Sequence, residues 1–269
     1  MDSFVEDIME RDGIKIHFWT GGKAGTPWLV FTHGATIDHH EWDQTIDLSE
    51  NSYRVLVWDV RGHGRSRPGK FGMRQTVEDL ISILDYLKIE QAIFVGHSLG
   101  GNIHQEIVFL HPERVRAMIF VGCTWNFQKL SKWESIQLKS AKWIFKLYAY
   151  QELVDQSLKL TAKSFESQRI LREAVEKLSK DEIVLIMMEA VLCLHYEPGY
   201  VISKPLLLLV GDRDRTGNIR KIMPVWAKQE PDCRFFVVPD SLHAPNLDNP
   251  DFFHEKLFAF LDHVKDSSQ

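Results

Sequence analysis

The stretch that most constrains this chain is Ile93-Phe94-Val95-Gly96-His97-Ser98-Leu99-Gly100-Gly101-Asn102. An apolar, β-branched run passes straight into Gly-x-Ser-x-Gly, and a helical pattern begins at once. A strand that turns sharply into a helix leaves room for only small side chains beside the turn, and Gly96 and Gly100 supply them. The residue at the apex is held in a strained conformation with its side chain raised above the sheet. Here that residue is Ser98. The free N–H groups at the helix start, Leu99 first, face any anion that forms beside the hydroxyl.

The flanking sequence predicts a sheet around this unit. Phe4 to Met9 and Ile14 to Trp19 flank an Asp12-Gly13 pair and read as an antiparallel hairpin. Trp28 to Thr32, Val55 to Trp58, Ala92 to Val95, Val115 to Val121, Pro205 to Val210 and Arg234 to Val238 are short, nearly continuous apolar runs. Such runs fit strands buried on both faces of a parallel sheet. Helical spacing lies between them: from about Thr76 to Leu87, from Leu99 to His111, through Val225 and Trp226, and across Phe252, Phe253, Leu257, Phe260 and Leu261. Alternating strands and helices predict an α/β fold, a mostly parallel sheet with helices on both faces. From Cys123 to Glu197 the texture changes, for neither glycine nor proline occurs there. Ile183, Ile186, Met187, Ala190, Val191 and Leu194 form one helical stripe. Residues 123–200 read as a helical insertion after the sixth strand, its apolar faces buried against the sheet rim. Residues 1–122 and 201–269 form the core domain. The insertion is rich in aromatics (Trp125, Trp133, Trp143, Phe145, Tyr148, Tyr150 and Phe165), and packing within it accounts for most of them.

Composition excludes several classes. The net charge of -5, without a long run of one sign, gives no footprint for nucleic acid or an anionic membrane. Cys123, Cys193 and Cys233 are widely spaced and odd in number, so neither a disulfide framework nor zinc spacing is visible. Met1 to Glu10 lacks a basic n-region and an apolar h-region, which predicts no signal peptide and a cytoplasmic setting. His39 and His40 lie beside Asp38 and Glu41, but neighbouring side chains diverge, so this segment reads as a solvated loop and no metal is expected. The turn from Asp59 to Ser66 reads as structural, its acid and bases bracing one another.

In open α/β sheets, ligands sit beyond the carboxyl ends of the strands. Four chemically useful groups lie at such ends: His33-Gly34-Ala35, Ser98, the Gly211-to-Asp214 loop, and His243. A serine hydroxyl needs a base, histidine suits that work near neutrality, and the histidine needs an acid to fix its tautomer. Asp212 and Asp214 are both candidates for that acid; Asp240 and Asp248, which flank His243, read as caps or braces of their turn.

These segments, in order, resemble the α/β-hydrolase superfamily over nearly the whole chain. The resemblance rests on His33-Gly34, on Asp59-x-Arg-Gly-His-Gly-x-Ser66, on Gly96 to Gly101, on Gly211-Asp212-Arg213-Asp214 and on Leu242-His243-Ala244-Pro245. It implies Ser98 as nucleophile, His243 as base and Asp214 rather than Asp212 as acid, with the backbone amides of Ala35 and Leu99 as oxyanion donors. It also implies that the insertion is a cap. His33, Gly34, His97, Cys123 and Trp125 are candidates for the substrate pocket, although a structural role also suits His97. Serine at the nucleophile position disfavours the epoxide-hydrolase and dehalogenase branches. The expected activity is hydrolysis of a carboxylic ester or related acyl bond of a small to medium hydrophobic substrate, without metal or cofactor. The expected state is a monomer or homodimer. Carbon–carbon bond hydrolysis, thioester hydrolysis, peracid formation and cofactor-free oxygenation are the alternatives within the superfamily. A non-catalytic ligand-binding protein is the alternative outside enzymology.

Overall fold

The computed structural model describes residues 4–136, 138, 147–191 and 193–266. Trp143 and Phe145, read above as packing residues of the insertion, lie outside them. The chain opens with an antiparallel hairpin of β1 (Val5–Arg11) and β2 (Ile14–Gly22), joined at Asp12 and Gly13. Both turn residues have positive φ, 51° and 75°, the geometry that lets a two-residue turn follow the twist of its strands. After β3 (Trp28–Thr32), a 3-10 turn at His39–Trp42 leads into helix α1 (Asp43–Ser49). Then come β4 (Arg54–Trp58), α2 (Met73–Tyr86), β5 (Ala92–His97), α3 (Leu99–Leu110) and β6 (Val115–Val121). Helix α2 begins three residues before the expected Thr76. The Thr76 hydroxyl donates back to the Gly72 carbonyl and extends the first turn.

Between β6 and β7 the described residues include α4 (Tyr150–Thr161), α5 (Phe165–Val175) and α6 (Lys180–Val191). The chain ends with β7 (Leu206–Gly211), α7 (Ile219–Ala227), β8 (Cys233–Val238), a short α8 (Pro245–Asp248) and α9 (Pro250–Asp266). The eight strands form one sheet in the order β1-β2-β4-β3-β5-β6-β7-β8. Only the β1–β2 and β2–β4 pairs are antiparallel.

Continuous apolar strands are explained by two cores, one on each face. In β6, Met118 and Phe120 enter one cluster while Ala117, Ile119 and Val121 enter the other. In β7, Leu206 and Leu208 alternate with Leu207 and Leu209 in the same way. Helices α2, α3 and α7 cover the first face, and α1 and α9 the second. Val154, Leu158, Leu171, Val175, Ile183 and Ile186, from the helices after β6, join the first cluster, so their apolar stripes are buried against the sheet assembly. Fully burying each such side chain is worth roughly 1.5–3 kcal/mol.

Two expectations require correction. Trp133 and Phe165 are 77% and 84% exposed, so neither packs within the insertion. The Asp38–Trp42 segment is not solvated, for Asp38, His39, Glu41 and Trp42 are all buried, and only His40 faces out. Trp42 fills a core position against Phe31 and Phe253 and draws the preceding residues inward with it. The Asp59 turn is braced only partly from within. Asp59 accepts from the Arg65 amide, but also from the amide and ring of His39. Arg61 reaches outside the turn, with two nitrogens on the buried carboxylate of Asp79 in α2. Among the described residues no helix is long and apolar enough to cross a membrane.

Candidate active site

Ser98 stands between β5 and α3 with φ 48° and ψ -113°, outside the favourable regions for a residue with a side chain. The sequence forces this geometry locally. A Cβ on Gly96 would lie 2.6 Å from the backbone of Gly100 and Gly101, and one on Gly100 would lie 2.2 Å from the Thr32 carbonyl oxygen. The strand-to-helix reversal therefore closes only with glycine at both places. The Ser98 amide donates to the Val121 carbonyl on the neighbouring strand and ties the apex to the sheet.

The Ser98 hydroxyl lies 2.9 Å from His243 Nε2, and His243 Nδ1 lies 3.0 Å from Asp214 Oδ2. An ionised carboxylate can only accept, so Nδ1 carries the proton and Nε2 accepts from Ser98. Asp214 is buried, which raises its pKa. The charge and hydrogen bond of His243 and the Thr216 amide outweigh that burial and hold the carboxyl below its usual range. Asp212 points elsewhere and accepts from the Ser241 amide.

The loop that carries His243 is tied on every side. Asp248 accepts from the Leu242 amide, and the Ala244 amide donates to the carbonyl of Thr161 at the end of α4. Asp248 also accepts from the Lys163 amide, and Asp240 pairs with the Lys163 and Arg213 side chains. The base is thus held by the helices after β6 as well as by the sheet.

The amides of Ala35 and Leu99 enter no hydrogen bond among the described residues, leaving two donors unused near the elbow. The candidate pocket residues divide. His33 and His97 are fully enclosed. His33 donates to the Gly34 carbonyl and accepts from the Val60 amide, while His97 donates to the His243 carbonyl and faces Glu41. Both serve as braces rather than pocket walls. Cys123 is enclosed too, and burial holds its thiol well above the ordinary range. Trp125 stacks parallel to Trp226 at 6.2 Å. Its indole N–H is buried without a partner among the described residues.

An open cleft of about 620 Å³ separates α5 from the segment after β3 and is lined by Asp38, Glu41, Lys177 and Leu247 among others. A second, of about 330 Å³, lies beside Trp19 and His39. Ser98 lines neither. Asp38, His39 and His40 bring one donor each within 4.8 Å of one another. Lys177 occupies Asp38, Asp59 occupies the His39 Nδ1 and Asp43 occupies the His40 Nδ1, so each of the three side chains already has a protein partner. The residue that sequence reasoning missed is Glu41. Its only signal was its place immediately before an aromatic residue that the core requires.

Residues 27–250 match the family model described as alpha/beta hydrolase fold. A putative non-heme haloperoxidase of Mycobacterium phage D29 is 38% identical over 121 residues, a match covering 43% of this chain and only 42% of that protein. The pimeloyl-[acyl-carrier protein] methyl ester esterase of Pectobacterium carotovorum is 28% identical over 90% of this chain and 97% of its own length. The crystal structure of the enol-lactonase from Burkholderia xenovorans superposes with a TM-score of 0.79 at 20% identity, covering 95% of this chain and 100% of that one. With an elbow serine, a mostly parallel sheet in this strand order and a family match over most of its length, the chain belongs to the α/β hydrolase fold family.

Proposed function

We propose that this protein is a serine hydrolase that cleaves a carboxylic ester or related acyl bond through an acyl-enzyme. The observation that carries the reading is the hydrogen-bonded chain Ser98–His243–Asp214. His243 takes the Ser98 proton as Oγ attacks the carbonyl carbon. The negative charge that develops on the carbonyl oxygen is met by the amides of Ala35 and Leu99 and by the N-terminus of α3. Asp214, anionic and buried, stabilises the imidazolium. His243 returns the proton to the departing alkoxide, and the alcohol leaves. Water then gives a proton to His243 and attacks the acyl carbon, and collapse frees the acid and restores Ser98. The helices between β6 and β7 serve as a cap over the strand ends, with Trp125 as a pocket wall, which suits a small or medium hydrophobic acyl compound. The three unpaired cysteines suit a reducing cytoplasm.

The methyl ester esterase relative, similar over nearly its whole length, supports ester chemistry. The haloperoxidase relative supports a second reading, in which hydrogen peroxide replaces water at the acyl-enzyme and a peracid leaves. A fluorophosphonate, followed by peptide mass spectrometry, tests the main reading. The expected adduct is on Ser98, with turnover of p-nitrophenyl esters lost in parallel. Absence of the adduct from folded protein refutes the assignment.

A further inference from the structure

Glu41 is fully buried, yet no step above uses it. Its carboxylate touches three segments that are distant in sequence. Oε2 accepts from the Gly34 amide at 3.0 Å, Oε1 accepts from the Asn246 side chain at 3.3 Å, and Oε1 lies 2.6 Å from His97 Nδ1. His97 in turn donates from Nε2 to the His243 carbonyl at 3.0 Å. Gly34 packs so closely on the His97 ring that a Cβ there would lie 2.8 Å from Nδ1. One acid and one histidine therefore join the loop that offers the Ala35 amide, the strand that carries Ser98, and the loop that carries His243.

The electrostatics agree with this geometry. Burial pushes the Glu41 carboxyl up, but His97 and the Gly34 amide outweigh it and leave the group below its usual range. Burial pushes His97 down, and Glu41 outweighs it and leaves the imidazole above its ordinary value. By occupying the Gly34 amide, Glu41 also fixes the peptide orientation that leaves the next amide, that of Ala35, without a partner.

We propose that Glu41 and His97 form a positioning pair, which sets the spacing between the oxyanion amide of Ala35 and the base His243. The proposal rests on the serine-hydrolase reading above. Neither residue touches substrate; both act through the loops they join. Misplacement of a reacting group by about 1 Å costs on the order of 10²-fold in rate. Removing the pair therefore lowers kcat by roughly that factor while KM, set by the cap and pocket, changes by less than about threefold.

The test compares four forms of the full chain on p-nitrophenyl esters, together with thermal melting and the rate of fluorophosphonate labelling. In Glu41→Gln the amide oxygen still accepts from Gly34. The amide nitrogen donates to a neutral His97 and to the Asn246 oxygen, which has no partner in the parent. That variant keeps kcat within about fivefold of the parent, because the ties and not the charge do the positioning. Glu41→Leu loses about 10²-fold in kcat. The double variant Glu41→Leu with His97→Leu removes the unpaired buried group and recovers melting temperature, since apolar pairs replace buried polar pairs well. Its kcat remains about 10²-fold down. A double variant that melts like the parent and also turns over like it overturns the proposal, as does a Glu41→Gln variant as slow as the double one. A folded parent that neither labels at Ser98 nor turns over esters instead overturns the hydrolase reading, so the two failures are distinguishable.

Discussion

If Ser98 is held in a strained backbone for the sake of its chemistry, relieving the strain stabilises the fold while abolishing activity. Its φ of 48° with ψ of -113° lies where non-glycine residues are costly, on the order of 1–3 kcal/mol per residue. Ser98→Gly removes that cost but gives the unfolded chain more freedom, which offsets about 0.5–1 kcal/mol. The proper reference is Ser98→Ala, which loses the same hydroxyl bond to His243 and keeps the strain. The side chain is only half-buried, so the Cβ itself contributes little packing. The glycine variant is therefore more stable than the alanine variant by about 1 kcal/mol. At about 2.1 cal/mol/K of unfolding entropy per residue, that is roughly 2 °C in Tm for a chain of this length. Differential scanning calorimetry and urea unfolding of both variants measure it, with ester turnover absent from each. An alanine variant as stable as the glycine variant refutes the idea that strain is stored at this turn.

Two further outcomes follow from the same geometry. Asp214→Asn lowers kcat by on the order of 10³-fold or more with little change in KM, whereas Asp212→Asn, which only loosens the Ser241 amide, costs less than about tenfold; equal losses in steady-state assays remove Asp214 from its role. Burial holds His104 and His63 near a pKa of about 3, while an unfolded histidine titrates at its ordinary value of about 6.5. The unfolded state thus binds more protons between those values, and each histidine removes up to about 1.4 kcal/mol of stability per pH unit as pH falls from 6.5 toward 3. Asp59, held at about 2 against its burial by the His39 ring and the Arg65 amide, adds its own loss only below the ordinary aspartate value of 3.8. Urea midpoints measured from pH 7 to 5 fall for the parent and fall less for His104→Gln; parallel curves contradict the assignment to His104.

How much of this was legible in the sequence depends on how far each interaction reaches along the chain. The strands were visible because two cores cover the sheet, so Leu206 to Val210 had to be apolar without interruption. The elbow was visible because its constraint is local: glycines two residues on either side of Ser98. Strand-end position and chain order already directed attention to His243 and to the acid loop, but they left Asp214 and Asp212 open, since both sit on one short turn; only the family resemblance favoured Asp214, whose carboxylate lies 3.0 Å from His243 Nδ1. Glu41 was not legible, because its partners stand 7, 56 and 205 positions away and none of those separations follows a period. The same loop was misread as solvated, because two histidines and two acids look hydrophilic until Trp42 is placed in the core. Trp133 and Phe165 were misread in the opposite sense, since an aromatic side chain looks buried until the chain around it is drawn. Period-based reading sees the residues that make an element; a carboxylate that joins two loops and a strand end contributes to no element. A buried acid–histidine pair of that kind stabilises little against an apolar pair of equal volume. Its place in this fold is therefore better accounted for by the alignment of Ala35, Ser98 and His243 than by stability.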